Sequence, residues 1–349
     1  MAHVNPPDEQ QIIQQAQQFR QDYAAVREQV QRMIVGHDEI VDGVLTCMFV
    51  GGHALLEGVP GLGKTLLIRS LSQALNLQFS RIQFTPDLMP ADITGTTIVV
   101  ETRDDAGSTH RQFQFQRGPL FAQIVLADEV NRATPKTQSA MLEAMQEKSV
   151  TVSGTSYEMA KPFFVLATQN PIEQEGTYPL PEAQLDRFFF KLEVGYSNRR
   201  ELHEILDRTT QPQTPKIDKV LDAEKILEYA TLVRQVIIAP HVQDYAIRCV
   251  LATHPEGKDE DHATKLVKQF LRYGASPRAA QALVLGAKVG ALLQGRAHVS
   301  IDDIRSIVLP AMRHRILLNF EGQAEGMTPD MILNDIVDTL PVGEQVASR

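Results

Sequence analysis

A chain of 349 residues has length for about two domains, and 34 basic against 43 acidic side chains leave it at a formal charge of −9. With no basic block, that balance carries no signature of nucleic-acid binding. Two cysteines far apart in helical apolar patterns, Cys47 and Cys249, exclude a disulfide framework and suit a reducing compartment. No run reaches the roughly 18 apolar residues of a membrane span. The N-terminal Met1-Ala2-His3-Val4-Asn5-Pro6-Pro7 lacks the charged and apolar regions of a signal peptide, so the expected location is the cytoplasm.

The first predicted element, residues 8–33, places Ile12, Ala16, Phe19, Tyr23, Val26 and Val30 three and four apart, the spacing of an amphipathic helix. A turn at Ile34-Val35-Gly36-His37 leads to a second helix with Ile40, Val41, Val44, Leu45 and Met48 on one face, ended by Gly51-Gly52. A short apolar run, Ala54-Leu55-Leu56, then precedes Gly58-Val59-Pro60-Gly61-Leu62-Gly63-Lys64-Thr65, after which Leu67, Ile68, Leu71 and Leu75 open another helix. Strand, glycine-rich loop, Lys-Thr and helix in that order form a phosphate-binding loop.

The residue types suit that chemistry. Glycines let consecutive N–H groups turn inward toward phosphate oxygens, and the helix beginning near Lys64 adds the positive end of its dipole. Lys64 supplies a full charge for the outer phosphates, and the Thr65 hydroxyl is placed for Mg²⁺.

A strand is expected at residues 79–84. Residues 96–116 read as a hairpin, Thr97-Ile98-Val99-Val100 against Gln112-Phe113-Gln114-Phe115, turning through Asp104-Asp105-Ala106-Gly107. It interrupts a regular strand and helix alternation and reads as an insertion. Ile124-Val125-Leu126-Ala127-Asp128-Glu129 is an apolar run ending in two acids, the pattern of a strand buried on both faces of a parallel sheet. Thr134 and Pro135 then start a helix. A small hairpin over residues 149–159 and two more buried strands, at 163–169 and 188–194, complete an α/β alternation. Beyond about Tyr196 the pattern is helical: 223–235, 242–254, 263–273, 277–293 and 301–314, with capping signals at Ser276 and Ser300 and no β-pattern.

Asp128 and Glu129 turn a nucleotide loop into a hydrolytic reading. Asp128 can hold the hydration shell of Mg²⁺, and Glu129 can take the proton of the attacking water. Asn170, at the carboxyl end of its strand, faces the crevice where α/β sheets bind ligands, although a turn-forming asparagine before Pro171 is an equal reading. Arg187 lies just before the last strand and Arg278 in the first turn of a capped helix. From spacing alone each is a surface arginine before it is anything else.

Together, GVPGLGKT, VLADEVNRATPKTQSAMLEAMQEK, LATQNPIEQEGTYPLPEAQLDRFFF and GASPRAAQAL resemble the MoxR family of AAA+ ATPases, from Ile34 to about Arg315. The resemblance implies ATP and Mg²⁺ bound in an α/β domain with an insert in its second helix, residues 1–196, followed by a small all-α lid, residues 197–349. It implies nucleotide contacts at Val35, Gly36, Gly58, Val59, Pro60, Gly61, Leu62, Gly63, Lys64, Thr65 and Leu66, and metal contacts at Thr65 and Asp128. Glu129 would be the base, Asn170 sensor 1, Arg187 the arginine finger and Arg278 sensor 2. A homo-oligomer, a hexamer with both hairpins facing its pore, would act on a protein partner, one with a von Willebrand factor A domain. Gln83 is one choice for a residue coupling the insert to Glu129, and Arg132 reads as an intersubunit residue or as a helix-start salt bridge. Two alternatives stand beside this reading: a DNA-directed motor of the same superfamily and a low-turnover nucleotide switch.

Overall fold

The computed structural model describes residues 9–58, 63–103, 109–171, 176–210, 215–256 and 262–343. Its centre is a five-stranded parallel sheet of β1 (Ala54–Glu57), β2 (Phe79–Gln83), β5 (Ile124–Asp128), β8 (Phe164–Gln169) and β9 (Phe190–Glu193), in the order β2-β5-β8-β1-β9. The register sets Gln83 beside Asp128 and Glu57 beside Gln169, so four strands end on one line. Because side chains alternate along a strand, Leu56, Leu126 and Leu166 pack on one face while Leu55, Val125, Ala127, Val165 and Ala167 pack on the other. Both faces are covered, which is why these strands read as continuous apolar runs.

Four helices surround the sheet on the N-terminal side: α1 (Glu9–Gln31), α2 (Asp38–Val50), α3 (Lys64–Ala74) and α5 (Pro135–Glu147), the last preceded by the one-turn α4 (Pro90–Thr94). All six residues of the α1 stripe, from Ile12 to Val30, are buried. Phe19 is the centre of that stripe: it meets Phe49 of α2 and Tyr229 edge-on, with 5.0 Å between ring centroids in each case. At about 1.5–3 kcal/mol for each fully buried large side chain, this stripe anchors the helix.

The insertion is the hairpin β3 (Gly95–Arg103) and β4 (Thr109–Arg117), with the expected turn at residues 104–107 lying outside the described residues. Two glycines close its base. A Cβ on Gly95, whose φ is +94°, would stand 2.2 Å from the Gln116 carbonyl, and one on Gly118 would stand 2.4 Å from that of Ile93. The second hairpin, β6 (Ser149–Val152) and β7 (Thr155–Glu158), abuts the first through Tyr157, which stacks on Phe115 at 4.1 Å.

After the short α6 (Glu182–Leu185) and α7 (Arg199–Thr209), the chain is helical: α8 (Ala223–Gln235), α9 (Pro240–Leu251), α10 (Lys265–Phe270), α11 (Pro277–Leu293), α12 (Ile301–Ser306), α13 (Val308–Met312), α14 (Phe320–Ala324) and α15 (Pro329–Thr339). The helix α1 packs against α3, α8 and α11, so it spans both parts of the chain. Two details depart from the sequence pattern. The helix expected over 263–273 ends at Phe270, and Leu271–Tyr273 pairs as β10 with β11 (Leu317–Leu318), a short antiparallel strand pair within the helical lid. The helix expected over 301–314 breaks at Ile307, where Pro310 has no N–H to give the Ser306 carbonyl. The tail beyond Phe320, which carries no legible motif, adds α15 with Ile332, Leu333 and Ile336 buried. No helix among the described residues is long and apolar enough to cross a membrane.

Candidate nucleotide site

The phosphate loop leaves β1 at Gly58, whose N–H donates to the Gln169 carbonyl at 3.3 Å. A side chain there is barred by packing, since a Cβ would stand 2.7 Å from the Val194 carbonyl. Val59, Pro60, Gly61 and Leu62 lie outside the described residues. At Gly63 the backbone adopts φ +76°, and α3 begins at Lys64 with no side chain capping its first N–H groups. Those donors, the helix dipole and the Lys64 charge belong to one helix start, a setting that favours an anion. Burial pushes the Lys64 ammonium below its usual value, and Asp128, Glu129 and Glu57 oppose that shift by holding it charged. Its Nζ donates to the Gly58 carbonyl, across the mouth of the loop. Thr65 is half-buried behind it, and Leu66 is exposed.

At the carboxyl end of β5, the alternation of side chains sets Arg81 and Gln83 of β2, Asp128 of β5 and Thr168 of β8 on one face of the sheet. Contacts follow from that register. Thr168, buried to 1% exposure, donates to Asp128 Oδ1 at 2.7 Å and accepts the Glu129 N–H at 2.8 Å. Arg81 Nη2 donates to Asp128 Oδ2 at 2.7 Å and to Gln83 Oε1 at 2.6 Å. Gln83 Nε2 donates to Glu129 Oε2 at 2.7 Å, and Arg132 Nη1 pairs with the same oxygen at 2.8 Å. Glu129 itself has φ +58°, a left-handed conformation uncommon for a side-chain-bearing residue, held by the Thr168 bond.

These residues suit a hard cation and a base. The Thr65 hydroxyl and the Asp128 carboxylate are the oxygen donors that Mg²⁺ takes. Glu129 sits one residue beyond, its carboxylate oriented by two donors and only partly exposed. The coupling role open to Gln83 has its contact to Glu129, and Arg132 makes the salt bridge that its position allowed. Thr168 and Arg81 were not singled out in the sequence; the only trace was Thr168 inside an apolar strand at its ligand-facing end.

The remaining candidates are placed as follows. Asn170 is buried just past β8. Val35 is buried at the turn between α1 and α2, where Gly36, at φ +69°, is pressed against the Glu201 carboxylate of α7. Arg187 is half-buried; its Nη1 donates to the Leu142 carbonyl of α5 at 3.1 Å, and its Nε is buried with no hydrogen-bond partner. Among the described residues no contact joins Arg187 to Lys64, Asp128 or Glu129. Arg278, at the start of α11, meets the Asp186 carboxylate at 3.3 Å. Asp186 also receives Arg315, a residue outside every motif of the sequence, whose Nε lies 2.9 Å away and whose side chain is 3% exposed.

Comparison with known proteins bears on the family. The model of the ATPase family associated with various cellular activities (AAA) matches residues 53–190, and that of the AAA lid domain matches residues 263–336. Chaperone MoxR1 of Mycobacterium tuberculosis is 41% identical over 316 residues, covering 89% of this chain and 80% of its own length. Protein MoxR of Methylorubrum extorquens is 28% identical, with 93% and 96% covered. A crystal structure of a proposed ATPase from Cytophaga hutchinsonii superposes with a TM-score of 0.86 at 38% identity, over 95% of this chain and 98% of that one. A full phosphate loop, an acid pair at the end of β5, an insert hairpin and a helical lid thus occur together in a chain with relatives of this likeness: it belongs to the MoxR family of AAA+ ATPases.

Proposed function

We propose that the chain hydrolyses ATP with Mg²⁺ as one subunit of a ring, a hexamer, and uses the cycle to remodel or mature a protein partner. One observation carries the catalytic part: Asp128 and Glu129 leave β5 side by side, one oriented by Thr168 and Arg81, the other by Gln83 and Arg132. In this reading Lys64 and the first N–H groups of α3 hold the outer phosphates. Thr65 and Asp128 hold Mg²⁺, which when bound offsets the charge building on the phosphate oxygens. Glu129 takes the proton of a water whose oxygen bonds to the γ-phosphorus as the β–γ bridging P–O bond breaks, leaving ADP and phosphate. Asn170 orients that water.

The ring reading draws on Arg187, which makes no contact with Lys64, Asp128 or Glu129 among the described residues. The family resemblance makes it the arginine that serves the site of a neighbouring subunit. The likeness to a protein named as a chaperone supports a protein partner, and the family resemblance suggests one with a von Willebrand factor A domain. Val99 and Phe113, exposed to 54% and 81% on paired positions of the insert hairpin, offer it an apolar contact.

Glu129→Gln should bind ATP as the parent does and lose turnover by about 10²- to 10⁴-fold; turnover within a factor of two of the parent removes Glu129 as the base. Arg187→Ala should be inactive alone and regain activity when mixed with Lys64→Ala subunits. Failure of that mixture to recover counts against action across a subunit boundary.

A further inference from the structure

Asp186 lies in the turn between α6 and β9, one residue before Arg187, and its carboxylate is one point at which the lid meets the α/β part. Ser276 Oγ donates to both of its oxygens, at 2.8 and 2.9 Å, Arg315 Nε to Oδ1 at 2.9 Å and Arg278 Nη1 to Oδ2 at 3.3 Å. The two arginines are held differently. Arg315 is 3% exposed and also donates to the carbonyls of Phe188, Phe189 and Ala311, so it has no freedom to leave. Arg278 is 44% exposed at its side chain and makes the longest contact of the set.

This division matters because the carboxylate does not need both cations. With Arg315 and Ser276 in place, Asp186 keeps a full counter-charge and the Ser276 hydroxyl bond after Arg278 departs, so departure leaves no buried charge unpaired. A cavity of about 510 Å³ runs along the same seam, lined by Asp186, Ser276, His314 and Arg315, so the lid side is not packed solidly against the turn. A terminal phosphate carries more charge and more acceptor oxygens than one carboxylate and outbids it for a guanidinium. We propose that Asp186 is a positioning residue that competes with the terminal phosphate of ATP for Arg278, so that the lid arginine reads triphosphate against diphosphate by changing partners. The inference rests on the reading of Arg278 as the lid's nucleotide sensor.

The test is titration of the full chain, in Mg²⁺, with fluorescent ADP and with a fluorescent β,γ-imido analogue of ATP, in the parent and in Asp186→Asn. Removal of the competitor should tighten the triphosphate analogue by about two- to fivefold, the worth of a half-exposed ion pair, and leave ADP within about 1.5-fold, since ADP lacks the competing phosphate. In Arg278→Ala the same Asp186→Asn change should do nothing. A merely structural Asp186 would weaken both nucleotides alike, and that result overturns the proposal, as does an unchanged affinity for the analogue or a gain that persists without Arg278. Should Asp186→Asn not fold, Asp186→Asn with Arg315→Met removes the buried cation together with its counter-charge and is titrated in its place. A parent chain that binds neither nucleotide overturns the site reading itself, and this proposal with it; a parent that binds both, with no selective gain in the variant, overturns only the role of Asp186.

Discussion

Two clusters of arginines and carboxylates occupy opposite kinds of ground in this protein. At the strand ends, Arg81 and Arg132 meet Asp128 and Glu129 with side chains 47% and 38% exposed. At the lid seam, Arg315 meets Asp186 with 3% exposed and spends its remaining donors on backbone carbonyls. A solvent-facing pair is weak and exchanges partners readily, whereas breaking a buried one strands an ion in a medium that cannot solvate it. The strand-end contacts are thus the weaker and more exchangeable, and those of the seam the firmer.

The largest effect that would break this contrast lies in the seam. Arg315→Ala leaves Asp186 with less counter-charge and takes the arginine donor from the Phe189 carbonyl, while the Phe188 carbonyl keeps only His314, and should cost about 3–5 kcal/mol in urea unfolding. A loss below about 1 kcal/mol would make the seam no firmer than the strand ends.

Acid should weaken the buried side next. Burial pushes the His53 imidazole down to about 4, where its Nδ1 accepts the Val165 N–H at 3.0 Å and its Nε2–H donates to the Met145 carbonyl at 3.1 Å. Burial also holds His314, at the seam, well below its ordinary value, with Arg315 adding to the shift. Both folded-state values lie under the unfolded value of about 6.5, so the unfolded chain takes the proton first. The stability these groups contribute is full above pH 6.5 and is lost as pH falls toward 4. His53 alone accounts for about 2–3 kcal/mol between pH 7 and 4.5. Unfolding curves at the two pH values check it, and His53→Gln, which keeps one donor and one acceptor, should shrink the difference.

The smallest effect belongs to the strand ends. Arg81→Ala should change stability by no more than about 1 kcal/mol, because the Arg81 side chain is 47% exposed and Asp128 keeps its Thr168 bond. A cost as large as that of Arg315→Ala would erase the distinction between the clusters.

Much of this was legible in the chain. The α1 stripe follows a period that nothing else explains, and β5 and β8 are apolar on both faces because both faces are covered. Gln83 was one choice for a residue coupled to Glu129, and its bond there follows from the parallel register that sets it beside Asp128. The seam was not legible: Asp186 and Arg315 are 129 positions apart, and an arginine after a helix carries no local mark of burial. The β10 and β11 pair escaped for the same reason, since Leu271-Arg272-Tyr273 continues a helical spacing until a strand from residues 317–318 arrives to pair with it.

What the sequence by itself determined are the local features from which the nucleotide site is read: a loop that needs glycine and lysine, two acids after an apolar strand, and a capped helix whose first turn carries Arg278. Those are local requirements of backbone angle, charge and period, written in neighbouring residues. What only the tertiary structure decided is which charges meet. Thr168 touches Asp128 because β8 lies beside β5, Arg81 because β2 lies on the other side, and Arg315 closes on Asp186 because the lid folds back on the α/β part. Such pairings follow from strand order and domain packing, and these depend on the whole chain at once.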